Sequence, residues 1–287
     1  MNPFLTELAA ICSPAQIRTG EAALAYHTDE RNRYFTAPLA VALPRSTTEV
    51  AAIVKLCTAH NVALIAQGGN TGVVGGCAVM PQTPTLIVNL SQMCAVRSLD
   101  TVNRTLTIES GATLGSVHEL LAPHGLLFPL TLASQSAATI GGNLATNAGG
   151  TQVLRYGNMR DLCLGLEVVL ADGQVWSGLN TLRKNNTGYD LKNLFIGSEG
   201  TLGIITAAVL KLFPQPGERI TALIATPDLP SVLQAFDAIQ RAFDAQLTAF
   251  EYISPAALAL VCAQFNYTMP FTDAAPTVFP ALSLTNT

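Results

Sequence analysis

The sequence predicts an α+β fold, and three observations carry that expectation. A β-α-β unit runs from Leu39 to Ala66, a series of short strands separated by turn signals follows it, and a proline-glycine break near residue 214 opens a second region. Asn2 followed by Pro3 reads as an N-cap and first helical residue, opening a helix to about Cys12. Leu39–Leu43 reads as a strand. Thr47 or Thr48 then caps a helix whose apolar positions Val50, Ile53, Val54 and Cys57 recur at helical spacing. Asn61 ends it in a left-handed conformation, and Val62–Ala66 is the second strand.

Short strands are expected at Leu86–Asn89, Ala95–Leu99 and Thr105–Glu109, with a helix at Leu114–Ala122. Leu164–Leu170 and Gln174–Ser177 flank Asp172-Gly173, a hairpin signal. Leu191–Phe195 reads as a helical turn and Gly203–Phe213 as a long strand. Pro214, Pro216 and Gly217 form a linker, after which Ile220–Thr226 reads as a strand and Ser231–Phe243 as a helix. The tail Thr268–Thr287 offers no strand or helix signal, which reads as a second domain left incomplete.

Composition narrows the function classes. Hydrophobic residues make up 49% of the 287, enough for a large core, and charged residues only 12%, well under the usual quarter. A net charge of −4 with no basic run argues against a nucleic-acid partner. The apolar runs are too short to span a bilayer, and the first residues lack the features of a signal peptide, so a cytoplasmic location is expected. Six scattered cysteines and four dispersed histidines form no metal-binding spacing.

Glycines concentrate in three places: Gly68, Gly69, Gly72, Gly75 and Gly76; then Gly141, Gly142, Gly149 and Gly150; then Gly197, Gly200 and Gly203. Bare peptide N–H groups in such loops form a concave nest for an anion, and in the first loop Asn70 and Thr71 add uncharged donors. A pyrophosphate suits that nest. Neither GxGxxG nor GxxxxGK[ST] occurs, so the Rossmann fingerprint and the P-loop are absent. The alternative, tight turns without a ligand, loses weight when three such loops rich in Asn, Thr and Ser recur. The second cluster is small and apolar, with donors at Asn143, Thr146 and Asn147, which suits a flat ring such as an isoalloxazine.

At these residues the chain resembles the vanillyl-alcohol-oxidase (PCMH-type) FAD-binding oxidoreductases, in the branch that holds D-2-hydroxyglutarate and D-lactate dehydrogenases. The resemblance spans about Phe35 to Pro216 through an ordered series of motifs. These are Ala37-Pro38, Pro44-Arg45-Ser46, the glycine loop Gln67–Gly76, Ile140–Gly150 and Arg155-Tyr156-Gly157. Leu166–Gly173, Lys184–Leu191 and Ile196–Thr206 continue it. It implies a PCMH-type domain of two α/β subdomains over residues 35–214, preceded by an N-terminal helical segment over 1–34. The start of a ferredoxin-like, FAD-linked oxidase cap is implied over 218–287. It further implies that Gly68, Gly69, Asn70, Thr71 and Gly72 cradle the FAD diphosphate. Pro129, Leu130, Leu132 and Ser136 would line the flavin side, and Gly141, Gly142, Asn143, Thr146 and Gly150 would run beside the ring and ribityl chain. Glu199, Gly203 and Ile204 would meet the adenosine half or close the pocket.

The first glycine loop has no histidine, where relatives with covalent FAD often place one, so non-covalent FAD is inferred. The implied reaction is hydride transfer from a small D-2-hydroxy acid (2-hydroxyglutarate, lactate or glycolate type) to the flavin. The alternative is an FAD-binding remnant without turnover, because no histidine lies beyond His124 to serve the implied C-terminal constellation. Arg155 and Lys184 are the substrate-carboxylate candidates, though structural ion pairs suit both better; Tyr156 and Tyr189 suit core packing, and no catalytic residue is assigned. The electron acceptor is left open, and the reading admits a homodimer.

Overall fold

The computed structural model describes residues 2–28, 31–34, 36–80, 82–268, 270–271 and 279–286. Phe35, where the resemblance begins, lies outside the described residues, as does 272–278 in the tail. The chain divides into two compact units, one comprising Met1–Phe128, Leu132–Ala148 and Asn158–Phe213, the other Pro129–Thr131, Gly149–Gly157 and Pro214–Thr287.

The first unit contains two sheets. In the smaller, the parallel strands Ala40–Ala42, Thr85–Asn89 and Ala63–Gln67 lie in that order, with Ile17–Arg18 added antiparallel at one edge. The central strand is buried at every position, as expected for a parallel strand covered on both faces. The helix Thr47–Ala59 turns Val50, Ile53, Val54 and Cys57 into a core that also takes Phe4 and Leu8 from the first helix, Pro3–Ile11. Its N-cap is Ser46, one residue before the expected position: the hydroxyl accepts from Glu49 N at 3.2 Å. Asn61 does adopt the left-handed conformation, at φ 52°.

The larger sheet is antiparallel, in the order Val96–Asp100, Thr105–Glu109, Ile204–Lys211, Cys163–Val169, Val175–Ser177. Its middle strand Ile204–Lys211 is buried at all but its last residue. Gly173, at φ 77°, closes the expected hairpin. Glu167 joins this sheet to the helix Thr47–Ala59. Its carboxylate accepts from Thr47 Oγ1 at 2.6 Å, Thr206 Oγ1 at 2.8 Å and two nitrogens of Arg97 at 3.1 and 3.2 Å. Arg97 also pairs with Glu109 at 3.2 Å, which gives that side chain a cross-strand role.

In the second unit, Glu218–Leu223 and Leu247–Ile253 flank a central strand, Phe279–Asn286, each pairing with it antiparallel. That central strand corrects the expectation of a featureless tail. The helix Leu229–Phe243, capped by Asp228 through Ser231 N at 2.9 Å, precedes the second of these strands. A further helix, Pro255–Phe265, is apolar nearly throughout, and only Cys262 in it is buried. Among the described residues no helix is long and apolar enough to cross a membrane.

Buried thiols complete the core. Burial pushes Cys57 and Cys163 up to about 12 and Cys12, with Glu49 nearby, to about 11, so these thiols stay neutral and inert.

Candidate functional site

The parallel strand Ala63–Gln67 ends on the first glycine loop, which lies at the carboxyl end of the small sheet. Two buried amides hold that junction. Gln67 Nε2 donates to Tyr26 O at 2.7 Å, while Asn89 Nδ2 donates to Gln67 Oε1 and to Gly68 O, both at 3.0 Å. The carboxamide oxygen of Asn89 accepts from Ser91 N at 3.1 Å, so both ends of the side chain are used. Sequence reasoning had no signal for Asn89 beyond its place at a strand end. Asn89→Ala leaves the buried Gln67 Oε1 and the half-buried Gly68 O without this donor. A loss of about 2 kcal/mol in stability is expected, read by denaturant unfolding, with the loop loosened.

The loop then packs backbone against backbone. A Cβ on Gly69 would lie 1.8 Å from Ala137 O, and one on Gly141 would lie 2.6 Å from Ser110 Cβ. These two glycines serve chain-to-chain contact, whereas Gly72 has open space around it. Asn70 sits at φ 52° and donates one amide N–H to Thr28 O at 2.7 Å, which fixes the side chain and leaves its second N–H available.

The second cluster forms a short helix, Ile140–Ala145, that periodicity did not reveal. The third is tied to it: Gly197 N donates to Leu144 O at 3.0 Å and Glu199 N to Ala145 O at 2.9 Å. Arg160 braces both, since its backbone N donates to Asn147 Oδ1 at 3.0 Å and its guanidinium to Ile196 O and Asn193 O. Glu199 adopts φ 52°, a sparsely populated conformation for this residue type, and its carboxylate lies beside Gly76.

These loops enclose a cavity of about 460 Å³ within the first unit. Of the expected site residues, Gly68, Gly69, Asn70, Thr71, Gly72, Leu132, Gly141, Gly142, Asn143, Thr146, Glu199, Gly203 and Ile204 line it. Pro129, Leu130, Ser136 and Gly150 do not. Pro129, Leu130 and Gly150 group with the second unit, Leu130 being buried there, and Ser136 is exposed. The wall also includes residues that sequence reasoning missed, notably Cys77, Leu90, Ser110, Ser134 and Ile205.

The donor set fits a dinucleotide. Among the described residues, no backbone N–H from Gly68 to Gly76 has an acceptor in the protein. That run of bare donors around a cavity of ligand size matches a diphosphate, and the apolar wall at Leu90, Leu132, Ile204 and Ile205 matches an aromatic ring.

Of the residues weighed as substrate binders, Lys184 lies in an exposed segment and Arg155 stacks over the Tyr156 ring at 4.9 Å. Tyr189 is 93% exposed, against the expectation of packing. His118 is half-buried with Nε2 3.2 Å from Phe128 O. Among the described residues no group of three or more His, Cys, Asp or Glu is placed to hold a metal.

Residues 38–178 match a family described as "FAD binding domain". The chain is 43% identical over 227 residues to the mitochondrial D-2-hydroxyglutarate dehydrogenase of Bos taurus, covering 79% of this chain and 41% of the relative. It is 37% identical over 276 residues to D-2-hydroxyglutarate dehydrogenase of Xanthomonas citri pv. viticola, covering 96% of this chain and 57% of the relative. The solved structure of p-cresol methylhydroxylase superposes with a TM-score of 0.78, over 100% of this chain and 61% of that one. At 19% identity that likeness shows the fold. Residues 38–178 thus carry an FAD binding domain, on a fold shared with p-cresol methylhydroxylase. The cofactor is FAD, and the expected α+β fold of the PCMH type is the observed one. The chain spans about half the length of the relatives it matches.

Proposed function

We propose that this chain supplies the flavin-binding portion of an FAD-dependent dehydrogenase acting on a small D-2-hydroxy acid, of the 2-hydroxyglutarate, lactate or glycolate type. The free N–H run from Gly68 to Gly76 on the wall of the cavity is the observation that carries the reading. Those N–H groups would hold the FAD diphosphate without a cationic side chain. Gly141, Gly142, Asn143 and Thr146 would lie along the ribityl chain and ring, with Leu132 and Ile204 excluding water from the ring's face. Glu199 and Gly203 would close the adenosine side, the carboxylate accepting from ribose hydroxyls. A flavin held by these residues would supply the hydride acceptor for the carbon that carries the substrate hydroxyl.

Non-covalent attachment is part of the proposal. Cys77 is the thiol on the cavity wall; burial pushes it up, and Glu199 adds to the shift, so the nucleophilic thiolate is disfavoured. Acid precipitation of the loaded protein should leave the yellow colour in the supernatant.

We read residues 35–214 as the FAD-binding domain and 218–287 as the opening of a cap domain that contributes to the substrate site. Partners under this reading are the hydroxy-acid substrate and an electron acceptor of open identity, with a homodimer admitted and no nucleic acid. The cytoplasm is the proposed compartment; the Xanthomonas relative is bacterial, whereas the bovine one is named mitochondrial.

The test is a single preparation. Purified chain mixed with FAD and desalted should stay yellow, and FAD at 100 times its Kd should add about 2.7 kcal/mol of stability, read as a rise in Tm. Anaerobic D-2-hydroxyglutarate or D-lactate should bleach it little, because the proposal assigns the base to the cap. Rapid bleaching would place the base within these residues, and a colourless protein would remove the flavin reading.

A further inference from the structure

Two polar atoms on the cavity wall have no partner. Ser110 Oγ and Asn143 Nδ2 are both buried without a hydrogen bond in the protein, in residues that are 1% and 5% exposed. Both residues line the cavity. Burying a hydroxyl or amide without a partner is destabilising, and native cores rarely keep one without a reason. Here two such atoms share one wall.

Their backbones are fixed close together. Ser110 follows the strand Thr105–Glu109, its N donating to Thr206 O at 3.0 Å and its carbonyl accepting from Gly141 N at 2.8 Å. Gly141 lies in the first turn of the short helix that carries Asn143, whose own N donates to Thr139 O at 2.9 Å. A Cβ added at Gly141 would lie 2.6 Å from Ser110 Cβ, so the two segments pack closely at that glycine. The backbones are therefore held by other bonds, and neither side chain is needed to hold the turn. The Ser110 hydroxyl swings on one torsion and the Asn143 amide on two, so both can turn to a guest without backbone movement.

We propose that Ser110 is a cofactor-binding residue, its hydroxyl acting with the Asn143 amide as a pair of neutral donors to an uncharged acceptor edge of the bound FAD. This rests on the flavin reading above. The chemistry favours a carbonyl or ring nitrogen over a phosphate: the donors carry no charge, whereas the free backbone N–H groups that suit an anion belong to the Gly68–Gly76 loop.

The pairing has a thermodynamic signature that a packing role lacks. Ser110→Ala removes an orphaned hydroxyl from the empty protein, so the melting temperature without FAD should stay level or rise by about 1–2 °C. The same change removes a hydrogen bond from the complex, so FAD should bind about fivefold more weakly by fluorescence titration of the full chain. Ser110→Cys, of similar volume and a poor donor, should repeat the pattern and covers a failure of the alanine variant to fold.

Loss of affinity with unchanged or increased stability of the empty protein supports the assignment. Wild-type affinity in both variants overturns it, as does a parallel fall in affinity and in stability of the empty protein, which would mark a packing role. If wild-type chain itself takes up no FAD, the flavin reading fails first and this assignment falls with it.

Discussion

Gly69→Ala should unfold the cavity wall, with a loss of about 3 kcal/mol or more and a fall in melting temperature of about 6 °C or more. The added methyl would sit 1.8 Å from the carbonyl oxygen of Ala137 and 2.7 Å from its carbon. Those are backbone atoms, so no rotamer change relieves the clash. The segment around Ala137 is itself pinned, since Ala137 N and Ala138 N both donate to Ser134 O and Leu114 N donates to Ala138 O. Either the glycine loop or that segment must move by more than an ångström. In both cases the donors from Gly68 to Gly76 lose their arrangement, and FAD binding should be lost together with stability. Gly72→Ala is the control: its Cβ meets nothing within 4 Å, so stability should change by less than about 1 kcal/mol.

Glu167→Ala should cost about 3 kcal/mol at pH 7, measured by denaturant unfolding. It removes the shared acceptor of Thr47, Thr206 and Arg97, leaving the fully buried Thr206 hydroxyl with only a long contact to the Glu167 carbonyl at 3.4 Å. The stability difference should also depend on pH. Burial pushes the Glu167 carboxyl up, but the hydrogen bonds from Arg97, Thr47 and Thr206 outweigh burial and hold it below its ordinary value. A carboxylate with a lowered folded value stabilises the protein fully above its unfolded range, and that contribution is lost as pH falls through the folded value. The difference between wild type and variant should therefore be flat from about pH 6 to 8 and shrink below about pH 4.5. A difference that grows on acidification would show that the network is not charged as described.

Local elements were legible where one physical signal dominated. The helix Thr47–Ala59 shows its apolar spacing openly, and Asp172-Gly173 closes its hairpin because only a residue tolerant of positive φ fits there. The strand Phe279–Asn286 was invisible: three prolines and a single charge dilute the tail's pattern, and the strand owes its place to two partners, not to its own periodicity. The short helix at Ile140–Ala145 was hidden by its paired glycines, which lower helix propensity but permit the close approach of Ser110.

The site was legible as glycine loops with neutral donors, and the structure changes what the glycines do. Gly69 and Gly141 make room for neighbouring segments, while the peptide N–H groups from Gly68 to Gly76 on the cavity wall have no acceptor in the protein. Asn70 is anchored to Thr28 by one N–H, and Glu167, Arg160 and Asn89, which hold the loops and sheets in register, carry no motif that sequence alone exposes.

The central claim is that peptide nitrogens from Gly68 to Gly76 seat the FAD diphosphate. It is tested most directly by following those amide resonances in an ¹⁵N-labelled full chain as FAD is added. Downfield shifts concentrated in that loop, reproduced by ADP and not by riboflavin, are the predicted result. Unmoved loop amides in a protein that demonstrably holds FAD would contradict it.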